Sequence, residues 1–471
     1  MIEKNIKNVY MIAICGTAMG SLAAMLKSRG YNVSGSDEHV YPPMSTFLES
    51  QGIKLFQGFD KQHLTPKPDL VIIGNAMSRG NPEVEAVLVL KIPYTSSADA
   101  LKRFFIQGNR SIVVSGTHGK TTTSSLVAWV LESAGKDPSF MIGGIPKNFN
   151  RGFKLGKSDL FVVEGDEYDT AYFDKAAKFF HYLPETVILN NIEFDHADIY
   201  DNLDQIKLAF RRLVNLIPGN GLLLANIEDA NVMALCPAAF SEVQTFGLNR
   251  EAYWFADNIK FLEDHTSFDI LKQGVVFSHV SVTLSGYHNV LNVLAAVGAT
   301  HFYGVTPQQV CKALPGFQNI VKRLEKKAEV NNISIYDDFA HHPTKVKATV
   351  SGLRQQYPQR KIWAVYEPRT ATSKRKIMEE SYAQAFDDAD TTIIAPLYLP
   401  NKVKAGERLS VESLIRKIKK RGKEAFYIST VQEIVNFLEN ETSPGDIILI
   451  MSNGSFDNIH QKLIDKLSDI R

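Results

Sequence analysis

Cysteine is scarce in this chain: Cys15, Cys236 and Cys311 are the only three among 471 residues, and they stand far apart. Thiols scattered in this way exclude a disulfide framework and a thiolate zinc site, and they suit a reducing compartment. Long apolar runs are missing as well. The N-terminal run over residues 9–15 gives way to Gly16, too soon for a secretory core or a membrane span, and reads as a buried strand. Neither sign of charge dominates, since 52 basic and 51 acidic side chains cancel. Nothing global therefore draws the molecule to nucleic acid or to an anionic membrane. Internal repeats and low-complexity stretches are lacking too. The expectation is a cytoplasmic protein with no nucleic-acid partner and no membrane insertion. A polyanionic ligand would have to be met by local positive charge, from a few lysines, arginines or helix N-termini.

What is present belongs to an ordinary globular protein: 44% of residues are hydrophobic and 22% charged. At roughly 150 residues per domain, the length suggests about three domains. Three stretches repeat one rhythm of apolar strand, loop and helix. The first runs from strand 9–15 through Gly16-Thr-Ala-Met-Gly20 and a helix to a second strand ending Ser34-Gly-Ser-Asp37. Strand 70–73 follows, then Gly74-Asn75 and a helix from near Pro82. Residues 102–110 read as a linker. The second stretch has strands at 111–115, 160–163, 186–189 and 222–225, with helices over 120–133 and 203–216. Residues 240–285 alternate in shorter β-like runs and read as an antiparallel annex to the same domain. The third begins near Arg323, with strands at 333–336, 362–365, 392–395 and 447–451 and a helix from Pro343. The fold class expected is α/β, as three consecutive α/β domains. They are a Rossmann-like domain over 1–108, a P-loop-type central ATPase domain with its small annex over 109–321, and a Rossmann-like domain over 322–471.

The sharpest motif is Gly116-Thr-His-Gly-Lys-Thr-Thr-Thr123, between an apolar strand and a helix. Backbone N–H groups of such a loop, backed by a helix N-terminus, form an anion site. Lys120 can reach terminal phosphates, and the Thr121 hydroxyl is placed for Mg²⁺. Val114 stands where the full pattern has another glycine, so the loop is a shortened variant. The plainer alternative is a strand-turn-helix corner that needs glycine for steric reasons. Two acidic clusters follow strand ends, where ligands of parallel sheets bind: Glu164-Gly-Asp-Glu-Tyr-Asp169, and Asn191-Ile-Glu-Phe-Asp195-His196-Ala-Asp198. Glu164 suits a magnesium ion. Asp166 or Asp198 taken singly reads as a helix cap or solvated loop residue. At the N-terminus, Gly16, Gly20 and Asp37 suit a nucleotide diphosphate and ribose. Cys15 and Ala18 break the dinucleotide fingerprint, and a purely structural turn is the alternative.

Together these pieces resemble the Mur ligase superfamily, along with Gly286-Tyr-His288-Asn289-Val-Leu-Asn292, Lys322-Arg323 and Asp337-Asp338-Phe-Ala-His341-His342-Pro-Thr344. The resemblance spans nearly the whole chain. It implies an ADP-forming ligase with ATP and Mg²⁺ as cofactors, whose first domain binds a UDP sugar, whose second binds ATP, and whose third closes over both and holds the incoming amine. By matching position it implies Gly116, Thr117, Gly119, Lys120, Thr121 and Thr122 on ATP. His288, Asn289 and Asn292 would hold adenine, Arg323 the nucleotide and Asp338 the ribose. Thr121 and Glu164 would ligate one magnesium, with Glu164 and His196 at a second. Gly16, Thr17, Ala18, Met19, Ser36, Asp37 and Asn75, with His118, would receive the UDP sugar. Lys120, Glu164, His196 and His118 are the catalytic candidates. His118 touches either the acceptor carboxylate or the backbone of its own loop.

Several segments are similar to one branch of the family: Gly74-Asn-Ala-Met-Ser-Arg-Gly-Asn-Pro82, Pro93-Tyr-Thr-Ser96, Ile142-Gly-Gly-Ile-Pro146 and Glu167-Tyr-Asp-Thr170. That branch attaches L-alanyl-γ-D-glutamyl-meso-diaminopimelate, salvaged from old cell wall, to UDP-N-acetylmuramate. The alternative is the branch that adds L-alanine alone. The partners implied are these small molecules, met by a monomer or weak dimer. Asn453-Gly-Ser-Phe-Asp457 and Glu367-Pro-Arg369-Thr depart from the alanine-adding pattern and favour a different amine. Phe210 stands where several members carry a carbamylated lysine, so that feature is expected to be missing. Arg369, His342 and Lys404 are the candidates for the peptide, with Lys374, Lys402 and Arg408 behind them. Each of these charges taken singly reads as a solvated surface residue.

The chemistry implied is activation of the lactyl carboxylate as an acyl phosphate, then attack by a neutral amine, with His196 or the Glu164–Asp169 cluster as base. A folylpolyglutamate-type ligase would not need the first domain, and a nucleotide switch would need neither the first nor the third. A nicotinamide-dependent oxidoreductase would leave the phosphate loop idle.

Overall fold

The computed structural model describes residues 6–194, 199–370, 372–400 and 403–469. Expectations resting on Asp195, His196, Asp198 and Lys402 lie outside the described residues.

The N-terminal sheet is built from β1 (Asn8–Ile12), β2 (Asn32–Asp37), β3 (Lys54–Gln57), β4 (Leu70–Ile73) and β5 (Tyr94–Ser96), all parallel, in the order β3-β2-β1-β4-β5. That is the doubly wound order of nucleotide-binding sheets, with a reversal point beside β1. β1 is shorter than its apolar run. Ala13 takes a positive φ of 64°, and the Cys15 N–H is captured by the Asp37 carboxylate at 2.9 Å, which turns the chain into helix Thr17–Ser28. Behind the sheet, Glu83 is fully buried and accepts from Tyr10 Oη (3.0 Å), Ser36 Oγ and the Asp60 N–H (3.2 Å), with His63 Nδ1 at 2.7 Å. A buried carboxylate persists only when so supplied with donors.

The expected linker at 102–110 is shortened to the turn at 107–109. Residues Lys102–Ile106 continue helix Ser97–Leu101 as a π-helical turn, and Phe104, Phe105 and Ile106 are buried. Three consecutive apolar side chains gain more by packing than a free connection would gain in entropy.

The central sheet comprises β6 (Arg110–Ser115), β7 (Ser139–Met141), β8 (Phe153–Lys154), β9 (Leu160–Gly165), β12 (Pro184–Leu189), β13 (Leu222–Asn226), β14 (Glu242–Gly247), β15 (Trp254–Phe261), β16 (Thr266–Lys272) and β17 (Val275–Val282). β10 (Asp169–Ala171) and β11 (Asp174–Ala177) form a hairpin beside it. The ten strands run β17-β16-β15-β14-β13-β12-β6-β9-β7-β8. Here the expected annex is corrected. β14 pairs parallel with β13 and β15 parallel with β14, and within this segment only the β15–β16 and β16–β17 pairings are antiparallel, so the segment is the edge of the same sheet. Helices Lys120–Ser133 and Tyr287–Phe302 pack together on one face.

The C-terminal sheet holds β18 (Glu325–Val330), β19 (Ile333–Asp338), β20 (Ile362–Tyr366), β21 (Thr391–Ile394), β22 (Glu424–Tyr427) and β23 (Ile447–Met451), in the order β18-β19-β23-β20-β21-β22. Only β18 is antiparallel. β23 returns between β19 and β20, and apolar side chains cover both faces, so the strand ends at Asp338, Tyr366 and Met451 border a crevice. The architecture is the three-domain α/β fold expected. Among the described residues, no helix is long and apolar enough to cross a membrane.

Candidate active site

β6 delivers the loop Gly116–Gly119 into helix Lys120–Ser133. Two of its glycines are required by space. Gly116 has φ 127°, and an added Cβ would lie 3.0 Å from the Asn191 backbone. Gly119 has φ 82°, and its Cβ would lie 2.8 Å from both Asn190 Nδ2 and Asn292 Oδ1. The helix that follows has no side-chain cap, so its first N–H groups are open to an anion.

Lys120 folds back over this loop. Its ammonium donates to Gly116 O at 2.7 Å and to Glu167 Oε2 at 2.8 Å, with Asp166 Oδ1 at 3.8 Å. Burial alone would push Lys120 down, but Glu167, Asp166 and Glu164 outweigh it and the net shift is upward, so the charge stays on. Glu164 ends β9, buried, with Oε2 accepting from Thr121 Oγ1 at 3.2 Å and Oε1 from the Gly143 N–H at 2.8 Å. Burial and then the neighbouring Asp166 charge push its carboxyl up to about 7. A carboxylate so reluctant to ionise, with a threonine hydroxyl beside it, is relieved by a hard divalent cation. The donors Thr121 and Glu164 therefore fit magnesium.

These groups face a cavity of about 730 Å³, lined from the central domain by Thr117–Thr122, His288, Asn289 and Asn292, and from the C-terminal domain by Arg323 and Asp338. The expected nucleotide set, Gly116 apart, thus lines one cavity, and Gly116 O holds the Lys120 ammonium. Some of its polar atoms are already engaged. Asn292 donates to Asn289 Oδ1 and accepts from Thr123 Oγ1, both at 3.0 Å, and Asn289 donates to Ser285 O at 2.7 Å. Asp338 is buried and accepts from the N–H groups of Leu324 (2.6 Å) and Ala340 (2.7 Å). Burial raises its pKa, opposed chiefly by Arg323, whose guanidinium lies 5.3 Å from the Phe339 ring centre. His288 is held down to about 4 by burial and is neutral.

His118 lines the cavity, and its ring does not bond the backbone of its own loop. Its backbone N–H is held by Asn191 Oδ1 at 2.7 Å, but its ring reaches Glu193 Oε2 at 3.2 Å and packs against the His342 ring, centroids 4.8 Å apart. Glu193 also accepts from Thr344 Oγ1 at 2.6 Å. Glu193 and Glu167 were missed among their acidic neighbours, because composition does not say which carboxylate of a cluster faces the loop.

The UDP-sugar set divides. Gly16, Thr17 and Ala18 stand at the turn after β1, Asn75 follows β4, and Asp37 organises that turn through Cys15. Ser36 and Met19 turn inward instead. Ser36 is fully buried on Glu83, and Met19 is 6% exposed in the core, so neither side chain is open to a ligand. The expected peptide trio does not assemble. His342 caps helix Pro343–Gln356 beside His118, and Lys404 is exposed. Arg369 lines a separate cavity of about 470 Å³ at the ends of β20, β21 and β23, its guanidinium 3.5 Å from the Tyr398 ring centre and 3.6 Å from Glu367 Oε1. Gly454 makes room for it, since an added Cβ would lie 2.4 Å from the guanidinium carbon. The two departing segments, Glu367-Pro-Arg369 and Asn453-Gly454, therefore build one pocket. Lys374 is no surface charge. It is 2% exposed and donates to Tyr398 O (3.0 Å) and Leu399 O (3.3 Å), fixing the pocket wall. Arg408 likewise donates to Val403 O at 2.8 Å. Phe210, in the carbamylated-lysine position, is fully buried against Phe179.

Three family profiles cover the chain in series: Mur ligase family, catalytic domain, over residues 8–108; Mur ligase middle domain over 114–300; and Mur ligase, glutamate ligase domain, over 322–454. The chain is 43% identical over 463 residues to the UDP-N-acetylmuramate–L-alanyl-γ-D-glutamyl-meso-2,6-diaminoheptandioate ligase of Escherichia coli, covering 98% of each. With the UDP-N-acetylmuramate–L-alanine ligase of Acetivibrio thermocellus it shares 34%, over 95% of this chain and 93% of the other. Among solved structures, a murein peptide ligase from Psychrobacter arcticus matches at TM-score 0.71 and 35% identity, over 99% of both chains. With domains in this order, and a 43% identical relative matched end to end, the chain belongs to the Mur ligase family.

Proposed function

We propose that this chain is an ATP-dependent ligase that joins L-alanyl-γ-D-glutamyl-meso-diaminopimelate to UDP-N-acetylmuramate through an acyl phosphate, reusing peptide released from the cell wall. The observation that carries the reaction type is the charged phosphate loop, set in a cavity whose other wall comes from the C-terminal domain. The choice of amine is supported by identities of 43% and 42% with two ligases named for that tripeptide, against 34% with an alanine ligase. Residues 1–108 would hold the UDP sugar, 109–321 the nucleotide and 322–471 the peptide, in a cytoplasmic monomer or weak dimer.

The chain's own groups would act as follows. Lys120, charged and half-buried, exchanges Glu167 for terminal phosphate oxygens and lowers the repulsion met by an incoming carboxylate. Thr121 and Glu164 would hold magnesium, with His196 as the expected partner at a second ion. Magnesium, when bound, neutralises charge on the phosphates and holds them in line. Walls from two domains keep water from the activated carboxyl. Arg369, spread on Tyr398 beside Glu367, suits a group carrying both carboxylate and ammonium, as the diaminopimelate end of the tripeptide does.

The test is ADP release with Mg-ATP and UDP-N-acetylmuramate, comparing the tripeptide with L-alanine as acceptor. Release with the tripeptide alone, with the matching mass of the UDP-linked product, is the expected result. Release with L-alanine alone would assign the chain to the alanine-adding branch and overturn the reading of the Arg369 pocket.

A further inference from the structure

One cluster is not used as a unit by the nucleotide reading. His118 in the phosphate loop, Glu193 after β12 and His342 at the cap of helix Pro343–Gln356 converge from three distant segments, and their ligand-capable atoms lie within 4.8 Å of one another. His118 Nε2 is 3.2 Å and His342 Nδ1 is 3.8 Å from the same oxygen, Glu193 Oε2, and the Thr344 N–H competes for the Nδ1 lone pair only through a long 3.4 Å bond. Metal–donor bonds of about 2.0–2.1 Å place tetrahedral donors about 3.4 Å apart, and these two spacings bracket that value. Both imidazoles are buried, at 7% and 5% exposure. Burial holds His118 down to about 4, so its ring is neutral, and an ion at Nε2 takes the place of the proton that Nε2 shares with Glu193, leaving the ring proton on Nδ1. Burial would raise Glu193, but hydrogen bonds from His118 and Thr344 outweigh it and keep the carboxylate ionised. His118 Nδ1 is buried with no hydrogen-bond partner among the described residues, so that nitrogen does not anchor the ring against a small pivot toward an ion. Thr344 Oγ1, 2.6 Å from Glu193 Oε2, orients the carboxylate from behind.

We propose that His118, Glu193 and His342 form a binding site for a borderline divalent transition metal of the zinc class. The site is separate from the magnesium position at Thr121 and Glu164, and its occupancy fastens the C-terminal domain to the phosphate loop. Two imidazoles and one carboxylate are a three-ligand set that zinc, cobalt and nickel accept, with a further position open. Magnesium prefers oxygen donors and is a poor competitor here. Because the ligands come from both sides of the nucleotide cavity, a bound ion hinders the opening that substrates need. Zinc is thus expected to inhibit turnover in the presence of saturating magnesium.

The experiment titrates Co²⁺ into the full-length, nucleotide-free protein in excess Mg²⁺ and follows the visible absorption of low-coordinate cobalt. One cobalt per chain, displaced by Zn²⁺, is expected. Glu193→Gln and His342→Asn should each weaken binding at least tenfold, while Glu164→Gln leaves it unchanged. Wild-type affinity in the first two variants, loss of binding in Glu164→Gln, or absence of the absorption would overturn the site. X-ray absorption of the zinc-loaded wild type does not depend on any variant folding. Scattering from two imidazoles is expected, and an oxygen-only shell would refute the assignment.

Discussion

Glu164 makes the metal-free protein sensitive to pH in a direction that can be worked out. Burial, reinforced by the Asp166 charge, pushes its carboxyl from 4.5 up to about 7 in the folded chain. The folded value is the higher one, so the protonated group contributes stability in full below about pH 4.5, and that contribution is lost as pH rises through about 7. The contribution is on the order of 1 kcal/mol at pH 6 and close to zero at pH 8. The perturbation is Glu164→Gln, which keeps the shape and removes the titration. The assay is urea unfolding of metal- and nucleotide-free protein at the two pH values, followed by tryptophan fluorescence, since Trp129 and Trp254 both lie in the central-domain core. Subtracting the variant from the wild type cancels the titrating groups that do not interact with Glu164, which leaves Glu164 with Asp166 and Lys120. The wild type should lose on the order of 1 kcal/mol more than the variant between the two conditions. Magnesium with nucleotide should also release a proton from Glu164 at pH 6, measurable by calorimetry in two buffers. An identical pH slope in wild type and Glu164→Gln would refute the account of a buried carboxyl waiting for a cation.

Other outcomes follow from the same geometry. Lys120→Met should abolish ADP formation and also cost about 3–5 kcal/mol of stability, because buried Glu167 loses its ammonium partner. Lys120→Met with Glu167→Gln should restore the unfolding midpoint without restoring ADP formation; recovery of activity would remove Lys120 from the chemistry. Gly119→Ala should destabilise by about 2 kcal/mol, from the positive φ and the contacts with Asn190 and Asn292, and weaken nucleotide binding at least tenfold in calorimetry. Arg369→Lys gives up the planar stack on Tyr398, so KM for the tripeptide should rise at least tenfold with KM for ATP unchanged, and an unchanged tripeptide KM would empty that pocket of its proposed role.

Features fixed by contiguous residues were legible in the sequence. The phosphate loop and helix Lys120–Ser133 could be placed because strand, glycine turn and apolar period lie within one short stretch, with Gly119 and Gly135 flanking the helix. The doubly wound N-terminal domain was legible for the same reason. Pairing was less so. β14 carries the same short alternating pattern as β15–β17, yet it pairs parallel with β13, and nothing local distinguishes the two outcomes. Choice within a polar cluster failed more often. In Glu164-Gly-Asp-Glu-Tyr-Asp169, it is Glu167 that meets Lys120, and in Ser34-Gly-Ser-Asp37, Ser36 faces the core. The trio of Arg369, His342 and Lys404 was grouped by charge and location in the chain, and the fold sends each to a different place.

The walls of the nucleotide cavity are held together by contacts of a particular kind. Between the central and C-terminal domains, Lys147 pairs with Glu325 at 2.9 Å, Ser285 Oγ donates to Gly352 O at 2.7 Å, Tyr357 Oη donates to Glu263 O at 3.3 Å, and Thr344 donates to Glu193. All are polar and singly bonded, and each contributes about 0.5–1.5 kcal/mol at most. An interface of this sort can open on the timescale of turnover, whereas a continuous apolar seam would not. The cavity wall needs both domains, since Arg323 and Asp338 line the same space as Lys120 and Thr121. A reactive carboxyl derivative therefore meets a complete, water-poor site only while the domains are together. Ligands that bridge the cavity add to a weak set of polar contacts, so closure depends on their presence.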